Sequence, residues 1–118
     1  MVRVLVVDDE PAIADALGVI LRDEGYEVER AADGCTALAK LSEWRPDVIL
    51  SDLTMPHMGG EELLHRLRQM HDFSHIPIVA MSALTPSPGV CFDGFLKKPF
   101  SMLSMLAVIA QAASRRSN

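Results

Sequence analysis

The sequence predicts an α/β fold, a doubly wound parallel sheet of five strands with helices on both faces. Two observations predict it. Short runs rich in Val, Ile and Leu alternate along the chain with stretches whose apolar residues return at helical spacing. Strands that alternate with helices form parallel sheets, and right-handed crossovers then constrain the winding. Length and composition agree. The chain has 118 residues, the size of one domain spanning 1–118, and 49% hydrophobic against 23% charged residues supply a core and exclude a disordered chain.

The elements follow in order. Val2 to Val7 is the first strand, apolar on both faces. Pro11 suits the first turn of a helix carrying Ile13, Leu17, Ile20 and Leu21, and Gly25 stops it. Tyr26 to Ala31 alternates in polarity, as an edge strand does. Asp33 caps a second helix with Ala37, Leu38 and Leu41 on its inner side, and Pro46 ends it. Asp47 to Ser51 is the third strand. A loop from Asp52 to Gly60 leads to a helix marked by Leu63, Leu64, Leu67 and Met70. Ile76 to Met81 is the fourth strand and Phe95-Leu96 a short fifth. Ser101 caps a last helix running to about Ala113.

Charge and composition narrow the function. The net charge of −5 argues against a nucleic-acid backbone as a direct partner, and Ser114-Arg115-Arg116 is too short to reverse it. Cys35 and Cys91 lie in no metal-binding spacing and are expected as buried free thiols. The first strand starts at once, with no signal peptide, and no apolar stretch is long enough to span a membrane. A cytoplasmic protein without a membrane partner is expected.

In such a sheet the site lies outside the carboxyl ends of the strands. Asp8 and Asp9 follow strand one, Asp52 follows strand three, Ser82 ends strand four and Lys98 follows strand five. Carboxylates brought so close repel one another unless a cation joins them, and hard oxygen ligands suit Mg2+. No glycine-rich loop follows strand one, so a backbone cradle for a nucleotide is excluded. Acids with a lysine and a hydroxyl can run phosphoryl transfer. One carboxylate serves as nucleophile, and metal and lysine neutralise the transferring oxygens. Singly, each residue has a plain explanation: acids favour a helix start, Asp52 forms turns, and Lys98-Pro99 closes a strand. Those explanations do not account for their convergence on one rim. His57, His65, His71 and His75 share no ligand spacing and are read as solvated, and Trp44 as a packing residue far from the rim.

Four segments carry a resemblance: VLVVDDEP at 4–11, DVILSDLTMPHMGG at 47–60, PIVAMSAL at 77–84 and FLKKPF at 95–100. Together they resemble the receiver domain of the two-component response-regulator family, in its order. The resemblance implies a flavodoxin-like sheet of order 2-1-3-4-5 and a phosphoacceptor signalling switch. Asp52 would be the phosphoacceptor, with Asp52, Lys98 and Ser82 as the catalytic set. Asp8, Asp9, Asp52 and the carbonyl of Thr54 would hold Mg2+, Asp8 largely through bound water. Lys98 would pair with Asp52 and then with a phosphoryl oxygen, Ser82 would hydrogen-bond the phosphoryl group, and small Ala83 would leave it room. Ser82 and Phe95 would form the switch. The donor would be a histidine kinase or a histidine phosphotransfer protein, the output a downstream protein target, and the domain would catalyse only its own phosphorylation and dephosphorylation. Two other readings stay open: a pseudo-receiver that only binds partners, and an aspartate-nucleophile phosphatase.

The sequence departs from the family in one region. Ser82 and Lys98 stand sixteen positions apart, fewer than is usual, and 84–94 holds two prolines and two glycines. Proline and glycine oppose a regular helix, so the helix between strands four and five is expected to be shortened or missing. The signalling surface that many receivers build there is then not inherited intact. Leu84, with Thr54, occupies a position at which the family tunes hydrolytic water; an apolar side chain cannot orient water, and slow self-dephosphorylation is expected. Met102 to Ala113 contains no charged residue. Leu103, Leu106 and Ala110 can face the sheet; Met102, Met105 and Ile109 then serve either as core cover or as a homodimer surface. The polar end Ser114 to Asn118 suits a terminus or the start of a linker.

Overall fold

Strands β1 (Arg3–Val7), β2 (Glu27–Ala31), β3 (Val48–Asp52), β4 (Ile78–Ser82) and β5 (Gly94–Lys97) are interleaved with helices α1 (Pro11–Asp23), α2 (Gly34–Lys40) and α3 (Gly60–Arg68), and α4 (Met102–Ala113) follows β5. The computed structural model describes residues 1–115; the last residues of the polar end, 116–118, lie outside the described residues. The sheet is parallel throughout, in the order β2-β1-β3-β4-β5 expected from the sequence.

The apolar runs become strands because both their faces are covered. Val4, Val6, Leu50, Val79, Met81 and Leu96 join one core with α1 and α4. Leu5, Val7, Ile49 and Ile78 join the other with α2 and α3. Residues that alternate along a strand thus enter opposite cores, and the one polar residue buried short of the strand ends, Ser51, donates its hydroxyl to Asp52 O at 2.8 Å. The edge strand β2 is the polar one, but it does not alternate as expected: the adjacent Glu29 and Arg30 point to opposite faces and are both exposed.

Helix ends follow their caps. The Asp33 side chain accepts a hydrogen bond from Thr36 N at 2.8 Å, and Ser101 Oγ accepts one from Ser104 N at 3.0 Å. Gly25 takes φ +95 just beyond α1, a conformation that favours glycine. The inward side of α1 is Ala14, Leu17, Gly18 and Leu21, so Ile13 stays 39% exposed where the sequence places it inward.

Among the described residues no helix lies between β4 and β5. Ser87-Pro88-Gly89-Val90 instead make a tight turn: Val90 N donates to Ser87 O at 3.1 Å and Gly89 takes φ +83. Proline second and glycine third is the pattern of a type II turn. Val90 and Phe92 pack against the same core as Leu63, Leu64 and Leu67, filling space a helix would cover. Arg68 ties the far end down. Its guanidinium donates to Ser74 O and Ile76 O at 3.0 and 2.9 Å and pairs with Asp93 at 2.7 Å.

Two expectations are corrected. Helix α4 buries Met105, Ile109, Ala112 and Ala113, whereas Leu103 is 75% exposed, Ala110 is exposed and Leu106 is half-buried. The face is the reverse of the predicted one. A helix without a charged residue, whose polar side is only Ser104 and Gln111, carries a weak signal for its rotation, and the sheet sets it instead. Of the two roles left open for Met102, Met105 and Ile109, core cover holds for Met105 and Ile109, and only Met102 remains exposed, so the three do not make a shared homodimer surface. Cys35 and Cys91 are free but exposed, not buried, because α2 turns Gly34 and Ala37 inward and Cys91 lies in the turn-rich segment. No helix among the described residues is long and apolar enough to cross a membrane.

Helix α3 starts hard against the end of β3. A Cβ on Gly60 would lie 2.5 Å from Asp52 O, and one on Gly59 would lie 2.5 Å from Leu53 O. Those obstacles are backbone and cannot swing aside. Gly60→Ala is therefore expected to destabilise the fold by about 1–3 kcal/mol, the range for forcing atoms into a packed site, as measured by urea denaturation.

Candidate functional site

Three strand ends and one loop build the site. In β1 the ladder continues one step past Val7, where Asp8 N donates to Ala31 O at 3.0 Å. That step turns the Asp8 side chain inward, and the residue is only 3% exposed. Its Oδ1 accepts from Glu10 N at 2.9 Å, but its Oδ2 is buried with no partner, the one such side-chain atom among the described residues. Asp9 is exposed beside it. Asp52 closes β3 and is 9% exposed. Its Oδ1 accepts from Leu53 N at 2.9 Å and its Oδ2 lies 3.4 Å from Lys98 Nζ. One carboxylate oxygen from each of Asp8, Asp9 and Asp52 falls within 4.8 Å of the others.

The electrostatics are unbalanced. Burial pushes the Asp8 carboxyl above its ordinary range, and the nearby Asp52 and Asp9 charges push the same way; the Glu10 N–H and Lys98 oppose them. One ammonium faces three carboxylates. A buried oxygen without a donor and two further carboxylate oxygens at ligand spacing fit a hard divalent cation in chemistry and in geometry.

The other predicted residues surround this centre. Ser82 ends β4 and is buried; its Oγ accepts from Leu84 N at 3.0 Å, which leaves the hydroxyl hydrogen available, and its carbonyl accepts from Lys98 N at 2.8 Å. The last bond ties the lysine's backbone to the serine's strand. Phe95 is half-buried in β5, in register with Ala80. Thr54 is exposed in the loop after β3, on a cleft of about 310 Å3 that it shares with Ser82 and Leu84. Ala83 lies on an apolar hollow with Ile13, Lys98 and Phe100. The four histidines are exposed, as expected.

Sequence reasoning missed Glu61 and Ser87, which line the same cleft. The Glu61 carboxylate accepts from Ser87 N at 2.7 Å and from Ser87 Oγ at 2.8 Å. A glutamate in the first turn of a helix reads as a partner of the helix dipole. No spacing rule joins it to a serine 26 residues on.

A family model described as the response regulator receiver domain matches residues 4–110. Among solved structures, the chemotaxis response regulator CheY4 of Vibrio cholerae superposes with a TM-score of 0.86 at 39% identity, covering 95% of this chain and 98% of that one. A signal receiver domain of a histidine kinase from Syntrophus aciditrophicus gives a TM-score of 0.89 at 30% identity, covering 97% and 91%. Among curated proteins, the DNA-binding response regulator MtrA of Mycolicibacterium smegmatis is 37% identical over 89% of this chain and 47% of its own length. The DNA-binding dual master transcriptional regulator RpaA of Synechocystis is 34% identical over 100% of this chain and 51% of its own length. The chain thus spans about half the length of the curated relatives it matches. These names overturn the expectation of a partner set without nucleic acid, because the relatives are named as DNA-binding. A net charge summed over these residues speaks for their own surface and not for the portion of a relative they do not span.

The strained carboxyl has a measurable consequence. A folded-state pKa above the unfolded value means the folded chain binds the proton more tightly, so stability falls as pH rises through that window. Without divalent cations, Asp8→Asn is expected to melt above the unmodified chain at neutral pH. Scanning calorimetry in EDTA should show the gap narrowing as the pH is lowered into the carboxylate range.

Proposed function

Because the chain belongs to the response regulator receiver domain family, we propose that it is a phosphoacceptor signalling switch that takes a phosphoryl group onto Asp52. The observation that carries the reading is the Asp8–Asp9–Asp52 cluster, with an unpartnered buried oxygen on Asp8 and Lys98 against Asp52. Taken as one receiver domain, 1–118 holds every group the transfer requires except the ion and the donor.

The Asp9 and Asp52 carboxylates and the Thr54 carbonyl would hold Mg2+ directly, with Asp8 acting largely through bound water. When bound, the ion neutralises charge on the oxygens in transfer. Asp52 is the nucleophile. One of its carboxylate oxygens forms the new O–P bond as the P–N bond to a donor histidine breaks and the imidazole leaves with the electron pair. Leu53 N holds Oδ1 at 2.9 Å and so fixes the carboxylate plane before attack. The Lys98 ammonium passes from Asp52 Oδ2 to a phosphoryl oxygen, which gains charge as the carboxylate loses it. The Ser82 hydroxyl donates its free hydrogen to another. Because Lys98 N is bonded to Ser82 O, the two groups move as a pair. Phe95, half-buried on β5, repacks with them, and the new oxygens shift the balance between two conformations and so alter partner binding. The apolar Leu84 beside the cleft offers no group to orient water, so the phosphoryl group persists.

Incubation with phosphoramidate and Mg2+ is expected to add one phosphoryl group by intact mass. Asp52→Asn and EDTA should each abolish it. Lys98→Ala should slow labelling by about a hundredfold or more, as loss of a group that stabilises developing charge does. After donor removal the label should last minutes rather than seconds. Phosphate release over many turnovers would support a phosphatase, and absence of any label a silent binding module.

A further inference from the structure

We propose that Glu61 is a positioning residue that sets how long a phosphoryl group stays on Asp52, by holding the β4–β5 segment as the outer wall of the cleft beside it. The inference rests on the reading of Asp52 as phosphoacceptor and deepens it.

The segment is fixed at both ends. Leu84 N donates to Ser82 Oγ at one end. At the other, Val90 and Phe92 enter the core and Asp93 pairs with Arg68. Its middle is held differently. Pro86 and Pro88 have no N–H to donate. Among the described residues, the hydrogen bonds that tie 85–89 to another element are the two from Ser87 to the Glu61 carboxylate, at 2.7 and 2.8 Å. Charge-assisted bonds of that length are strong ones, and both oxygens are engaged. Glu61 in turn follows Gly60, whose backbone packs against Asp52 O so closely that a Cβ would not fit. The segment is therefore pinned to a point that is rigid relative to the phosphoacceptor.

The cleft it closes matters chemically. About 310 Å3 in volume, it is lined by Leu53, Thr54 and Gly59 on the β3–α3 side and by Ser82, Leu84 and Ser87 on the other. Loss of the phosphoryl group needs a water in line with the Asp52–phosphorus bond. The water oxygen bonds to phosphorus, the O–P bond to Asp52 breaks, the carboxylate keeps the electron pair and the water's proton leaves to solvent or phosphate. A wall pinned at Ser87 holds Leu84, itself largely exposed, at the cleft it shares with Leu53, Thr54 and Ser82, next to the phosphoacceptor's strand end. Released, the segment lifts and admits the water.

The test compares label loss after donor removal. Glu61→Ala is expected to shorten the lifetime on the order of threefold or more, since both anchoring bonds go. Glu61→Gln can still accept from Ser87 N and donate to Ser87 Oγ, and should restore most of the lifetime. Ser87→Pro, which removes both donors while leaving Glu61 in place, should lose the label as fast as Glu61→Ala, and the double variant no faster. Amide exchange in the 84–90 segment should rise in the same variants, a change that a general loss of stability would instead spread over the whole sheet. Equal lifetimes in the unmodified chain, Glu61→Ala and Ser87→Pro overturn the proposal, as do additive losses in the double variant. An unmodified chain that never takes the label overturns the reading of Asp52 itself, and this inference with it, before any variant is made.

Discussion

Asp8 Oδ2 is buried with no donor to satisfy it, a few ångströms from the carboxylates of Asp9 and Asp52. Much of the fold exists to create that situation. The parallel register sets Val7 beside Ser51 and Asp52 beside Met81, so strands far apart in sequence end at one level. Their apolar interiors leave no other place for the charges than just beyond the last buried residue. A lone buried carboxylate costs stability, and a native chain keeps such a cost where it serves a site. Lys98 offsets part of it. At 3.4 Å from Asp52, and partly solvated, it is too distant to cancel three negative groups. The imbalance leaves the rim with an excess of negative oxygens that a small, hard, doubly charged ion would suit.

The elements legible in the sequence are those whose residues answer to a single neighbour. β1 and β3 were readable because both faces are buried, so no alternation blurs the run. Asp33 and Ser101 were readable because a cap satisfies backbone groups three residues away. The rim was readable because parallel topology sends every strand's carboxyl end the same way. Helix α4 shows the opposite case. Without a charged residue it offers two plausible inner faces, and only the sheet decides that Met105 and Ile109 turn in. Glu61 and Ser87 were illegible for a related reason. Their bond depends on where a helix start and a proline-bounded turn come to rest in three dimensions, and neither residue is unusual in its own segment.

The prolines and glycines between β4 and β5 do more than remove a helix. A helix would satisfy its own backbone and could slide as a unit. A turn with two prolines has few donors of its own, so its position depends on side chains from elsewhere. Here those are Glu61 in the middle and Arg68 through Asp93 at the end, both on α3. The segment that borders the site is thus governed by α3, whereas Ser82 and Lys98, on β4 and after β5, are tied to each other.

On the reading of Asp52 as phosphoacceptor, that separation decides how a new charge there would be felt. Ser82 touches both groups of contacts: its carbonyl holds Lys98 N, and its Oγ holds Leu84 N at the start of the turn segment. If the serine rotates to meet a new oxygen, the Leu84 bond must lengthen or break while the Lys98 bond moves with the backbone. The disturbance then enters the segment at Leu84 and meets its first fixed point at Ser87. With a helix there, the motion would be shared among its turns. With a short turn clamped by one carboxylate, it is concentrated on two hydrogen bonds, and a two-state response is favoured over a graded one because those bonds either hold or do not.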